Sequence, residues 1–303
     1  MLSLPDGPSL VFTDYESSDE EEEEFQIDEE ITSNYSRHHI ELAMKIFNIV
    51  LDDWMYAYQV MYTINQYQPL FIRILELTCE DKTLDFLLPG FPVKSPNVVA
   101  KVLGQRADFG EVLAIRTFIV TARKIQAVYS HGVRITIMSD YHTFDQYLNI
   151  NEETYNTYHN DLKDMIRKAG ADDVIRIISL ASFPEFQDTI STNISQKLSA
   201  DYGNQEFLEK FDENVRSDSN LLERYKQMLK FMQRDQQTNL PGSPRSNKTR
   251  KFLKDIATGM MSQGIALDQF LKEQSFLSDY VRVSIHNHHP KKGKLLFIIL
   301  FCS

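Results

Sequence analysis

The sequence predicts an α/β fold, a largely parallel sheet with flanking helices, preceded by a disordered acidic tail. Three observations carry that expectation. Residues 1–36 hold twelve carboxylates and no Lys or Arg. Beyond them, the apolar spacing switches between helix-like steps of three and four and strand-like steps of two. The strand-like runs in the middle of the chain alternate with helix-length segments, as parallel strands joined by crossover helices must.

The chain has 303 residues, is 42% hydrophobic and 25% charged, and carries a formal net charge of −11. That composition suits a chain with a real core, read as a single domain over residues 37–303 after a tail over residues 1–36. Removing the tail's twelve negative charges from −11 leaves about +1, so the low isoelectric point belongs to the tail. A nearly neutral body without an evident basic stripe argues against a nucleic-acid partner. The two cysteines, Cys79 and Cys302, form no disulfide framework and suit a reducing compartment. No basic stretch followed by an apolar one opens the chain, and no apolar run approaches the roughly 18 residues of a membrane span. The expectation is a soluble, cytoplasmic protein with no membrane partner.

The elements follow in order. The tail is too poor in apolar residues to offset the entropy of ordering it. Its "SSDEEEEE" run reads as a solvated segment, or as a site where Ser17 and Ser18 attract an acid-seeking kinase. Residues 40–61 place Ile40, Met44, Phe47, Leu51, Trp54, Tyr58 and Met61 on one helix face. The prolines of "DFLLPGFPVKSPN" forbid a continuing helix. Asp108 can cap a helix reaching about residue 128. "HGVRITIMSD" reads as a turn and a strand with Val133, Ile135 and Ile137 on one face. "NINEETYNTYHNDLKDMIRKAG" is a capped helix closed by Gly170, and "DDVIRIISLASF" is the next strand. Residues 204–276 are mainly helical, broken at "NLPGSPRSNKTR". "DYVRVSIHNHHP" is a strand and "GKLLFIILF" another. There is no internal repeat, zinc-like cysteine spacing or phosphate-binding glycine loop.

Three places set polar side chains into regular structure. In "FPVKSPN" (residues 91–97), Pro92 and Pro96 fix the backbone around Lys94, so its ammonium is either aimed at a partner or simply faces solvent in a turn. Arg116 falls four residues after Val112 and three before Ile119, inside an apolar stripe. A guanidinium buried there needs a structural carboxylate or an anionic ligand, because stranding the charge costs roughly 3–5 kcal/mol. On residues 281–286, Val281, Val283 and Ile285 share one face, while Arg282, Ser284 and His286 share the other. That polar face is either a site or the wet side of an edge strand. "SDYH" adds Asp140 and His142 just past a strand's C-terminal end, where ligands bind in open α/β sheets. Asp140 either orients His142 or caps a helix. Asp140, His142 and His286 also make a two-histidine, one-carboxylate set that a metal enzyme would use.

Together "FPVKSPN…KVLG…DFGEVLAIR", "VRITIMSDYHTF" and "VRVSIHNHHPKKGK" resemble the isocyanide synthase family, the pyoverdine/dityrosine biosynthesis enzymes. The likeness covers about residues 86–165 well and 240–295 more loosely. It implies a Rossmann-like, mixed sheet and an enzyme of secondary metabolism. That enzyme converts the amino group of tyrosine or tryptophan to an isonitrile or N-formyl group. The carbon donor implied is ribulose 5-phosphate, with no metal or other cofactor and with a downstream oxygenase as pathway partner. The implied catalytic residues are Lys94, Asp140, His142 and His286. The implied substrate-binding residues are Ser95, Arg116, Arg282, Ser284 and Lys294. Anionic substrates suit fixed cations, and histidines titrate nearest neutrality. Tyr141 stands where the family pattern has glycine, and Val98 where proline is common. The pattern also continues past residues 293–294 with a further strand and a "TPWH"-like segment, where this sequence ends in "LLFIILFCS". A truncated relative that binds a ligand or partner without turnover is the alternative.

Overall fold

The computed structural model describes residues 33–54, 67–139, 141–274 and 279–283. The chain runs through α1 (Arg37–Trp54), α2 (Gln68–Cys79), β1 (Leu84–Pro89), α3 (Phe109–Gln126), β2 (Val133–Ser139), α4 (Tyr141–Leu148), α5 (Glu152–Lys168) and β3 (Ile175–Ser179). A helical stretch follows: α6 (Ile194–Tyr202), α7 (Gln205–Glu209), α8 (Phe211–Ser217), α9 (Ser219–Asp235) and α10 (Asn247–Glu273). The last described element is β4 (Tyr280–Arg282).

The four strands pair in the order β3-β2-β1-β4, all parallel. Register places Ile175, Ile135, Phe86 and Val281 in one row across the sheet. Their side chains, with Leu84, Leu88, Val133, Ile137 and Val283, face a core supplied by α1, α2, α3 and α5. Trp54 from α1 meets Phe86 edge-to-face at 5.2 Å and Phe118 of α3 at 6.3 Å. Each large side chain fully buried here contributes about 1.5–3 kcal/mol over its exposed state.

The opposite sheet face changes character along the strands. Toward their N-terminal ends it is polar. There Thr136 donates to Asp85 at 2.6 Å, and Arg176 donates to Thr136 at 2.7 Å, to Asp85 at 3.1 Å and to the Tyr280 hydroxyl. Burial pushes the Asp85 carboxyl up, opposed by Thr136 and Arg176. Further along, Leu87 and Met138 pack under α6 and α10 through Leu198, Ala266, Leu267 and Phe270. The sheet is therefore covered by helices on both faces, as parallel sheets require.

The helix ends follow local chemistry. Asp108 accepts from Gly110 N–H at 2.8 Å, and Glu111 accepts from Asp108 N–H at 2.8 Å, a reciprocal capping box at the start of α3. Asn151 caps α5 by accepting from Thr154 N–H at 2.8 Å. Gly170, at φ +62°, ends α5 in the left-handed region that a side chain would strain.

Several expectations change. The sheet was expected to be mixed, yet every pairing among the described residues is parallel. "LDFLLP", read only as a helix break, is the central strand β1; five of its six residues are buried, so it lacks the alternation that marks a half-wet strand. Residues 33–36 are not tail. Tyr35 packs against the core, and Ser36 accepts from His39 N–H at 3.3 Å ahead of α1. The tail before residue 33, residues 55–61 of the first predicted helix and the "GKLLFIILF" strand lie outside the described residues.

Candidate active site

The chain winds from β1 through β2 to β3 on one side, and β4 then pairs on the other flank of β1. Ligands bind in the crevice outside the carboxyl ends of strands at such a reversal of order. Two described segments leave the sheet there: the loop after β1, which carries Lys94, and α4 after β2, which carries His142.

The loop begins with a strained residue. Phe91 is not glycine, yet sits at φ +53°, directly before Pro92. Its ring packs against Phe118 at 6.3 Å, and its carbonyl meets His159 Nε2 of α5 at 3.1 Å. Burial drives His159 down to about 4, with Lys163 and His142 adding repulsion. A neutral imidazole therefore donates from Nε2 to the Phe91 carbonyl. The Tyr141 and Tyr155 rings stack at 4.1 Å and 10°, and Tyr155 lies 4.3 Å from His159 and 5.1 Å from His142.

Lys94 does not reach into open space. Its Nζ lies 2.8 Å from Glu111 and 3.0 Å from Asp108, with only 12% of its side chain exposed. Burial lowers its affinity for a proton, but the two carboxylates outweigh that and hold it above the ordinary lysine value. The Glu111 carboxylate also accepts from the Tyr158 hydroxyl at 3.1 Å. The capping box that starts α3 thus doubles as the anchor of the lysine loop. Ser95 accepts from Asn97 N–H at 3.2 Å. The buried Asn97 donates to the Arg234 carbonyl at 2.6 Å, tying the loop to α9.

His142 is 5% exposed, and its Nδ1 has no hydrogen-bond partner among the described residues. Burial lowers its proton affinity, opposed by Glu152. Two more buried polar atoms beside it, Ser139 Oγ and Thr143 Oγ1, lack partners in the same sense. A buried polar group without a partner costs about 1–3 kcal/mol, so these three atoms mark the end of β2 and the start of α4 as the candidate site. Further along α4, burial raises the Asp145 carboxyl to about 6.

The other predicted residues are placed differently. Arg116 is exposed. The buried stripe of α3 is Glu111, Ala114, Ile115, Phe118, Thr121, Ala122 and Ile125, whereas Val112 and Val120 flank Arg116 on the solvent side. The expectation of a buried guanidinium is overturned, because apolar residues occur on both sides of this helix and the sheet selects the other one. Arg282 projects toward α10, where Asp268 lies 3.6 Å away. Burial lowers its proton affinity, opposed by Asp268. Its ion pair is separate from that of Lys94, which is held on α3. Asp140, Ser284, His286 and Lys294 lie outside the described residues. Among the described residues, no group of three His, Cys, Asp or Glu is placed to hold a metal ion.

Sequence reasoning missed Glu111, Tyr158, His159 and Asp145. The Asp108-x-x-Glu111 spacing could have flagged the first as a capping partner. Tyr155, Tyr158 and His159 share the buried stripe of α5 with Leu162 and Ile166, so their spacing carries no signal beyond that of a packed helix face. A surface hollow of about 650 Å³ on α7 and α8 is lined by Glu209, Lys210, Asp212, Glu213, Arg216 and Ser217, and includes none of the groups at the strand ends.

Residues 74–301 match the family model described as pyoverdine/dityrosine biosynthesis protein, and the chain belongs to that family. It is 26% identical over 215 residues to the L-tryptophan isonitrile synthase AmbI2 of Fischerella ambigua, covering 71% of this chain and 62% of that protein. It is 26% identical over 226 residues to the L-tyrosine isonitrile synthase of Xenorhabdus nematophila, covering 74% and 65%. The chain therefore spans just under two thirds of the length of these relatives. Its fold is similar to the crystal structure of PvcA from Pseudomonas aeruginosa, with a TM-score of 0.72 at 24% identity, covering 86% of this chain and 83% of that one.

Proposed function

We propose that this chain is an isocyanide synthase-like enzyme. Its substrate is an aromatic amino acid, tyrosine or tryptophan, whose amino group becomes an isonitrile or N-formyl group with ribulose 5-phosphate as carbon donor. The observation that carries the reading is the set of unsatisfied buried groups, Ser139 Oγ, His142 Nδ1 and Thr143 Oγ1, at the C-terminal end of β2 in a chain of this family. The relatives named for tryptophan and tyrosine support the substrate class.

The residues suit the chemistry required. Condensing an amine with a ketone and then cleaving carbon from the sugar needs repeated proton transfers, for which a neutral imidazole is an apt acceptor. Burial keeps His142 in that form near neutral pH. Lys94, paired with Glu111 and Asp108, fixes the loop beside the strand ends rather than offering an uncompensated charge.

The test is turnover of tyrosine and tryptophan with ribulose 5-phosphate, read by product mass. His142→Ala should lower kcat at least about 100-fold, the usual worth of a general base, while the thermal midpoint shows the fold retained. No product from either amino acid, or full activity in His142→Ala, would sink the proposal.

A further inference from the structure

The nearly neutral body conceals a concentrated basic segment. Residues 223–255 contain nine Lys or Arg (Arg224, Lys226, Lys230, Arg234, Arg245, Lys248, Arg250, Lys251 and Lys254) against three carboxylates, Glu223, Asp235 and Asp255. All nine cations are exposed. Lys254 pairs with Asp212, and Asp235 is taken by Lys101. The other eight cations have no ion pair among the described residues. On α9, Lys226, Lys230 and Arg234 recur every fourth residue, one stripe of a helix surface, at spacings where like charges repel. Arg245, Lys248, Arg250 and Lys251 follow across the turn into α10, whose packing against α9 buries Met232 and Leu253 in one cluster. A surface that concentrates repulsion in this way is stabilised by an opposite charge of similar density.

The same chain carries that charge. Eleven of the twelve tail carboxylates fall in residues 14–30, without a single Lys or Arg between them. We propose that residues 14–30 dock on the basic face of the α9–α10 hairpin. The described chain starts at Ser33, so the five consecutive glutamates at residues 20–24 are tethered nine to thirteen residues away. An extended chain covers about 3.3–3.6 Å per residue, which gives that run a reach of roughly 30–45 Å. A domain of this size is roughly 45–50 Å across by its expected radius of gyration, so the tether is long enough for much of the surface. Tethering also raises the effective concentration to the millimolar range, where weak ion pairs suffice. The inference is independent of the catalytic reading, since none of these cations belongs to the proposed site.

Carbodiimide cross-linking of the full chain, read by mass spectrometry on a mixture of isotopically light and heavy protein, tests it. Expected are links within one chain from residues 14–30 to Lys226, Lys230, Lys248 and Lys251. They should fall at least about threefold between roughly 0.05 M and 0.5 M salt as screening shortens the reach of charge. In Lys226→Glu/Lys230→Glu/Arg234→Glu, all exposed positions, the links to Lys248 and Lys251 should fall by a similar factor at an unchanged thermal midpoint. The proposal is overturned if links spread evenly to other exposed lysines such as Lys163 and Lys168. It is overturned equally if the triple variant leaves the links unchanged, or if they form only between light and heavy chains, which would make a second copy the occupant. Retention of an RNA oligonucleotide on the same face at about 0.15 M salt, with no tail links, would assign that face to nucleic acid instead.

Discussion

Acidification should set a buried histidine and a half-buried aspartate of this fold against each other, and one substitution in each should separate them. His159 has its proton affinity depressed from 6.5 to about 4, chiefly by burial. The stability it contributes is whole above about pH 6.5 and is lost as pH falls toward about 4. Asp145 is raised from 3.8 to about 6, again chiefly by burial. Its carboxylate is penalised in the folded chain above about pH 6, and that penalty is relieved as pH falls toward about 4. At about 1.4 kcal/mol per pH unit, the His159 loss between pH 7 and pH 4.5 is about 2.5 kcal/mol. The Asp145 recovery over the same span is about 1 kcal/mol after allowing for its partial exposure to solvent. Asp145→Asn removes only the recovery, so its stability should fall about 1 kcal/mol further than wild type on acidification. His159→Gln keeps a donor for the Phe91 carbonyl and removes only the loss, so its stability should hold or rise slightly. Urea unfolding of the three proteins at both pH values measures this, and taking differences from wild type cancels the other titrating groups. An Asp145→Asn curve parallel to wild type, or a His159→Gln protein that loses as much as wild type, would refute the assignment.

Lys94→Met strands the buried Glu111 carboxylate and should cost about 3–5 kcal/mol in chemical denaturation, with Glu111→Gln added to it recovering at least half. In Gly259→Ala, the new methyl would sit 2.3 Å from the Tyr147 ring. That overpacking should cost about 1–3 kcal/mol, outweighing the roughly 1 kcal/mol gain in helix propensity, and Tyr147→Leu in the same chain should restore the thermal midpoint. Arg116→Ala, on an exposed position, should change stability by no more than about 0.5 kcal/mol.

Much of the fold was legible where local chemistry is unambiguous. Asp108 and Asn151 announce their helices, because a short acceptor side chain ahead of an apolar period satisfies free N–H groups. Gly170 announces an end, and Val133, Ile135 and Ile137 announce a strand face. Legibility failed where two readings had similar local support. On α3, Val112, Arg116 and Val120 form as regular a stripe as the one that is buried. In β1, a strand covered on both faces has no alternation to detect.

By itself the sequence determined the segregation of charge, the capped helices, the alternation of strand and helix and, through three spaced blocks, the family. Those features rest on neighbours along the chain, whose geometry the backbone dictates. Only the tertiary structure decided which face of α3 is dry, that Lys94 is held by Glu111 and Asp108, and that His159 grips the strained Phe91 carbonyl 68 residues away. It also decided that Ser139, His142 and Thr143 are buried, each with a polar atom lacking a partner among the described residues. The reason is physical: burial and partner choice are set when the helices close over both faces of the sheet. Until then, a charged side chain pays no desolvation and has no fixed partner to select.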